Sequence, residues 1–124
     1  MTRRHFDPAA FLPLSPAMFH VLVALADGEK HGYAILKEVS RLTDGEVRLG
    51  AGTLYAVIKR FVDEGLIAES DERPDPALDD ERRRYYRLLD AGRLVVLAEL
   101  ARMERAIALA HEKRLVARRA PGRL

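Results

Sequence analysis

The stretch that most constrains this chain runs from Leu49 to Ile67, LGAGTLYAVIKRFVDEGLI. It predicts a turn, one amphipathic helix and an abrupt stop. Gly50, Ala51 and Gly52 let the backbone bend and approach a partner closely. Apolar residues then recur at Leu54, Val57, Ile58, Phe61 and Val62, one face of a helix. Thr53, Tyr55, Lys59 and Arg60 make up the polar side, and Gly65 is the expected C-cap. A helix anchored on one side and offering a hydroxyl, a phenol and two cations on the other suits the DNA major groove. An ordinary surface helix has the same pattern, so the neighbouring segments decide.

Upstream, residues 1–13 hold Arg3, Arg4, Phe6, Phe11 and Leu12 together with Pro8 and Pro13, and read as an arm, either disordered or laid on a partner surface. Ser15-Pro16 is a strong helix start, with Ser15 as N-cap and Pro16 at N1. Leu14 and Phe19 are spaced as a hydrophobic staple, Met18, Leu22, Leu25 and Ala26 continue the apolar face, and Asp27-Gly28 closes it. A second helix is expected at about His31 to Leu42. Ile35, Leu36, Val39 and Leu42 face inward, and Tyr33, Lys37 and Arg41 face outward. Thr43-Asp44-Gly45 is a turn, and Glu46-Val47-Arg48-Leu49 reads as an abbreviated strand.

Downstream, residues 66–69 and 84–89 read as two strands joined by the polar loop SDERPDPALDDE. Asp90 is the expected cap of a helix of roughly 25 residues. On it Val96, Leu100, Met103, Ile107 and Ala110 repeat in alternating steps of four and three, a coiled-coil-like seam widened by Leu97, Ala101 and Ala108. So long a helix has little to pack on in a small domain, and the seam is expected to meet a second copy of the chain. Residues 119–124 form a basic tail.

The order helix, helix, short strand, helix, hairpin, long helix is a mainly α fold with an α+β wing. It is a winged helix-turn-helix over residues 14–89 with a C-terminal dimerisation helix over 90–118. In such a fold the third helix enters the major groove. Composition agrees and excludes other classes. Cysteine is absent from the 124 residues, which removes disulfides, thiolate metal sites and thiol nucleophiles. The four histidines lack metal-ligand spacing, and no Ser/His/Asp set, phosphate loop or paired carboxylates stand out, so neither an enzyme nor a cofactor is expected. No segment is apolar enough to span a membrane and no signal peptide is evident, so the expected location is cytoplasmic. The net charge of +2 says little about nucleic acid, but basic residues cluster at Arg82-Arg83-Arg84 and in the tail.

Several short motifs stand in one order: Leu14-Ser15-Pro16, His31-Gly32-Tyr33, Gly52-Thr53-Leu54-Tyr55, Gly65-Leu66-Ile67, Arg84-Tyr85-Tyr86-Arg87-Leu88 and Asp90-Ala91-Gly92. Across residues 14 to 92 the chain resembles a PadR-type transcriptional regulator, of the subgroup with a single long dimerisation helix. It departs from that pattern at Gly50, where a serine is usual, at Ala56, where a proline is usual, and at Leu89, where a threonine is usual. Asp90 is expected to take over capping from that threonine. The resemblance implies a homodimer on a palindromic promoter site in double-stranded DNA, usually as a repressor, and sometimes release by a small effector.

The candidate DNA contacts are Tyr33, Ala51, Gly52, Thr53, Tyr55, Lys59, Arg60, Arg82, Arg83 and Arg84. Each has a plainer alternative. Thr53 caps locally, Tyr55 packs under the wing, Tyr33 plugs the first helix pair, Lys59 and Arg60 are solvated cations, and the three arginines neutralise Asp79, Asp80 and Glu81. A winged-helix protein-interaction module and a ligand-binding protein without DNA regulation are the competing functions.

Overall fold

Ser15 and Pro16 open the first helix as their chemistry dictates. In the computed structural model, which describes residues 5–70 and 84–116, α1 spans Pro16–Ala24 and the Met18 N–H donates to Ser15 Oγ at 3.1 Å. Val21, Leu22 and Ala24 are its buried residues, and Leu14 just before it is buried too. The helix stops at Ala24, ahead of Asp27-Gly28, and Ala26 is exposed rather than part of the apolar face.

Next comes a two-residue strand, β1 (Lys30–His31), and then α2 (Gly32–Leu42). The short strand therefore precedes α2 and does not follow it at residues 46–49. The alternation there reports the partial burial of Val47 and Leu49 against the core, not a ladder. The Val47 N–H donates to Thr43 Oγ1 at 3.1 Å, a turn bond. Nor is Leu42 on the inward face: it is 42% exposed, and Ile35 and Val39 carry the α2 side of the core.

The central helix, α3, spans Ala51–Asp63 and buries Leu54, Ile58 and Phe61. Full burial of each is worth about 2 kcal/mol of transfer free energy, which glues this face to the domain. Val62, expected on that face, is instead exposed at its edge. Gly65 ends the helix at φ +77, donating to the Val62 carbonyl at 3.1 Å while the Leu66 N–H reaches the Phe61 carbonyl at 2.9 Å. That pair of bonds is a Schellman cap, and the left-handed residue in it favours glycine.

The wing consists of β2 (Ile67–Ser70) and β3 (Tyr85–Leu88), antiparallel with Ile67 opposite Leu88 and Ser70 opposite Tyr85. β1 pairs on the far side of β3, so the sheet order is β1-β3-β2. The last helix, α4, spans the 23 residues Asp90–Glu112. Leu89 occupies its N-cap and supplies no side-chain bond, so Asp90 is not the cap. As the first helical residue it only places a carboxylate near the positive end of the helix dipole.

Over residues 5–13 the arm lies on its own chain. A 3-10 turn at Pro8–Phe11 packs on α4 of the same chain, and Phe11 and Leu12 lie against the core. The first half of α4 likewise has much to pack on: Gly92, Val95 and Glu99 are buried. A Cβ on Gly92 would collide with the Leu66 carbonyl oxygen, so glycine there lets α4 cross the start of the wing closely.

Candidate nucleic-acid interface

On α3 the wholly buried Leu54, Ile58 and Phe61 define the inward side. At 100° per residue the outward centre falls on Gly52, Ala56, Lys59 and Asp63, and all four are exposed. Tyr55 and Thr53 then lie on opposite edges of this outward face. Tyr55, Lys59 and Asp63 line a groove of about 390 Å³ between α3 and the wing, with Ile58, Val62, Glu69, Arg84 and Tyr86. Thr53, Tyr55 and Lys59 are all exposed, but Thr53 is not among the residues that line this groove. Thr53 and Arg60 share the side of α3 away from the wing.

Tyr55 does two things. Its side is half exposed toward the groove, at 52%. Its hydroxyl also crosses to the start of α2, where a Cβ on Gly32 would stand only 2.6 Å from the oxygen. That contact accounts for the glycine in His31-Gly32-Tyr33. His31 is the α2 N-cap, and its Nδ1 accepts the Ala34 N–H at 3.1 Å, which sets that nitrogen as the unprotonated one. Tyr33 is open to solvent, with Lys37 Nζ 5.4 Å from its ring centroid. The exposed Tyr33 ring does not plug the helix pair. The starts of α2 and α3 are thus brought together through Tyr55.

The cations of this region are paired. Lys59 Nζ donates to Asp63 Oδ2 at 2.8 Å, Arg60 Nε to Glu64 Oε1 at 3.2 Å, and Arg84 Nη1 to Glu69 Oε2 at 3.2 Å. The hydrogen bond to Asp63 raises the Lys59 amine above its ordinary range. Burial, followed by the charge of Glu69, raises the Tyr86 phenol, so this ring presents a neutral hydroxyl at the groove. The pairs are exposed and cheap to open, since such bridges are worth at most about 1 kcal/mol. A phosphate can replace each carboxylate. Arg82 and Arg83, and the acidic residues expected to neutralise them, lie outside the described residues.

The sequence reading missed two kinds of residue. Ala56 stands in the middle of the outward face, and its helical position between Gly52 and Lys59 was the available signal. The carboxylates Asp63 and Glu69 share the groove with the cations. Asp63 was findable as the i+4 partner of Lys59, whereas Glu69 depends on the register of the wing. Among the described residues no group of acidic or histidine side chains could hold a metal ion, and no helix is long and apolar enough to cross a membrane.

Comparison with known proteins agrees with this architecture. A profile of the transcriptional regulator PadR-like family matches residues 21–98. A transcriptional regulator of Mycobacterium tuberculosis is 37% identical over 89 residues, covering 67% of this chain and 77% of that protein. A PadR family transcription regulator from a hypervirulent Clostridium difficile superposes with a TM-score of 0.63 at 20% identity, covering 79% of this chain and 97% of that one. Bacillus subtilis PadR, solved in complex with operator DNA, matches with a TM-score of 0.52 at 19% identity, over 86% of this chain and 52% of that one.

Proposed function

The chain belongs to the transcriptional regulator PadR-like family, and from that premise we propose that it is a cytoplasmic, sequence-specific repressor that binds a palindromic promoter site as a homodimer. α3 enters the major groove, with Gly52, Thr53 and Ala56 close to the bases and Lys59 toward the backbone. Arg84 and the neighbouring arginines of the wing contact phosphates. A second copy packs on α4 along Val96, Leu100, Met103, Ile107 and Ala110, and a small effector that alters this packing would release the DNA.

The observation that carries the reading is the outward face of α3. Its centre is small and exposed at Gly52 and Ala56, while Leu54, Ile58 and Phe61 on its inward face are buried. Such a face lets backbone and short side chains approach base edges. The seam on α4 supports the dimer, since Leu100 and Ile107 stay exposed in one chain. The test is to select binding fragments from the source genome and measure binding against salt. Six or more phosphate contacts per dimer would weaken binding by roughly a thousandfold between 50 and 200 mM salt.

One observation favours a second reading, a protein-interaction module. Lys59, Arg60 and Arg84 are each neutralised by a carboxylate, which leaves this face weakly charged. Binding without steep salt dependence, and no enriched genomic fragment, would establish that reading instead.

A further inference from the structure

Glu99 is the one buried charged side chain among the described residues, at 0% exposure. Its Oε2 accepts the Leu14 N–H at 2.8 Å, and its Oε1 accepts from Arg102 Nε, whose side chain is 41% exposed. Leu14 immediately precedes the N-cap of α1 and follows the 3-10 turn that packs on α4. One carboxylate therefore ties the long helix to the place where arm and α1 meet.

Its position along α4 is equally specific. Gly92, Val95 and Glu99 are buried, and no residue of the helix beyond Glu99 is buried. Glu99 is thus the last fully covered point of α4 on its own domain. Beyond it the seam residues Leu100 and Ile107 are exposed. From Glu99 to the helix end is a rigid lever of roughly 20 Å. A tilt of about 10° at its base moves the far end by roughly 3.5 Å, close to the rise of one base pair.

A buried carboxylate paired with a half-exposed arginine is a poor source of net stability, because desolvation offsets most of the attraction. What it supplies is direction: the bond from the Leu14 N–H fixes one point of α4 against the start of α1, and Arg102, one turn on along the same helix, holds the carboxylate in the orientation that accepts it, where an apolar contact tolerates sliding. We infer that Glu99 is a positioning residue that sets the distance between the two recognition helices of the dimer, and hence the half-site spacing the protein accepts. This rests on the homodimeric, palindrome-binding reading proposed above.

The test uses the full chain and the duplex that the wild type selects from a random pool, resynthesised with its spacer lengthened or shortened by one and two base pairs. The wild type is expected to lose about tenfold or more in affinity for a one-base-pair change, since the half-sites must keep their helical phase. Glu99→Met fills a similar volume without the directed bonds, and should lose less than about threefold for the same change while binding the best spacer nearly as well. Should Glu99→Met fail to fold, Arg102→Gln keeps the buried acceptor for Leu14, removes only the half-exposed partner, and should also broaden the profile. A merely structural role would lower melting temperature, or affinity at every spacer, and leave the profile unchanged. An unchanged profile in a folded, dimeric Glu99→Met, or in Arg102→Gln where Glu99→Met does not fold, overturns the inference. A wild type indifferent to spacing, or binding as a monomer, overturns the homodimer reading itself.

Discussion

At the residue scale, two short motifs turn out to be the two sides of one contact. Gly32 is a glycine because the hydroxyl of Tyr55 fills the space its side chain would need. Gly32→Ala should therefore destabilise the protein by about 1 kcal/mol, since a flexible phenol can shift only partly out of the way. Adding Tyr55→Phe removes the obstructing oxygen and should recover most of that loss in urea unfolding. Recovery absent in the double variant would mean the strain lies in the α2 backbone. Glu99 supports a second expectation. The hydrogen bond from Arg102 holds its carboxyl below the ordinary glutamate range, against the opposing effect of burial. A carboxyl depressed in the folded state contributes stability above its unfolded value, lost as pH falls through the folded one. Wild-type stability should thus decline below about pH 4.5, and Glu99→Gln should decline less steeply over that window. Denaturant unfolding at a series of pH values measures the difference.

At the element scale, α3 combines a buried inner face with an outer face divided between two edges. Thr53 lies on the edge away from the wing, and Lys59 borders the groove shared with Arg84. The N-terminal turns of a recognition helix lie deepest in the groove. Thr53→Ala should then alter preference at one position per half-site by about 1 kcal/mol, whereas Lys59→Ala should weaken all duplexes alike, as loss of a phosphate contact does. Neither should unfold the protein, because both side chains are exposed. A panel of single-base operator variants with circular dichroism distinguishes these outcomes. Uniform weakening by Thr53→Ala, with altered preference from Lys59→Ala, would move the docked helix by about a turn.

At the scale of the whole molecule, α4 divides by burial along its length. Its first half is part of the domain, and its second half exposes Ile107 at 56% and Leu109 at 60% to solvent in the single chain. Ile107→Asp would place an unpaired charge in the proposed seam and should shift the dimer to monomer by at least tenfold in dissociation constant. Sedimentation equilibrium reads this directly. A wild type that is monomeric at micromolar concentration would remove the seam as an interface.

The sequence by itself determined the four α-helices, the wing, and the inward residues Leu54, Ile58 and Phe61, because these depend on local caps and a 3.6-residue period. Ser15-Pro16 and Gly65 were readable for the same reason: each satisfies backbone groups within its own turn. Tertiary structure decided whatever depends on contacts distant along the chain. The third strand formed at Lys30–His31 because β3 had an edge to pair with, and nothing local to residues 46–49 could report that. The arm folded onto α4, and Glu99, which reads as an ordinary polar helix residue, became its buried anchor 85 positions from Leu14. Residues on α3 were legible as outward, but which of them line the groove was decided by where the wing packs. A hydrophobic period marks the side a helix buries, whereas the neighbours of its exposed side are fixed only when the other elements close around it.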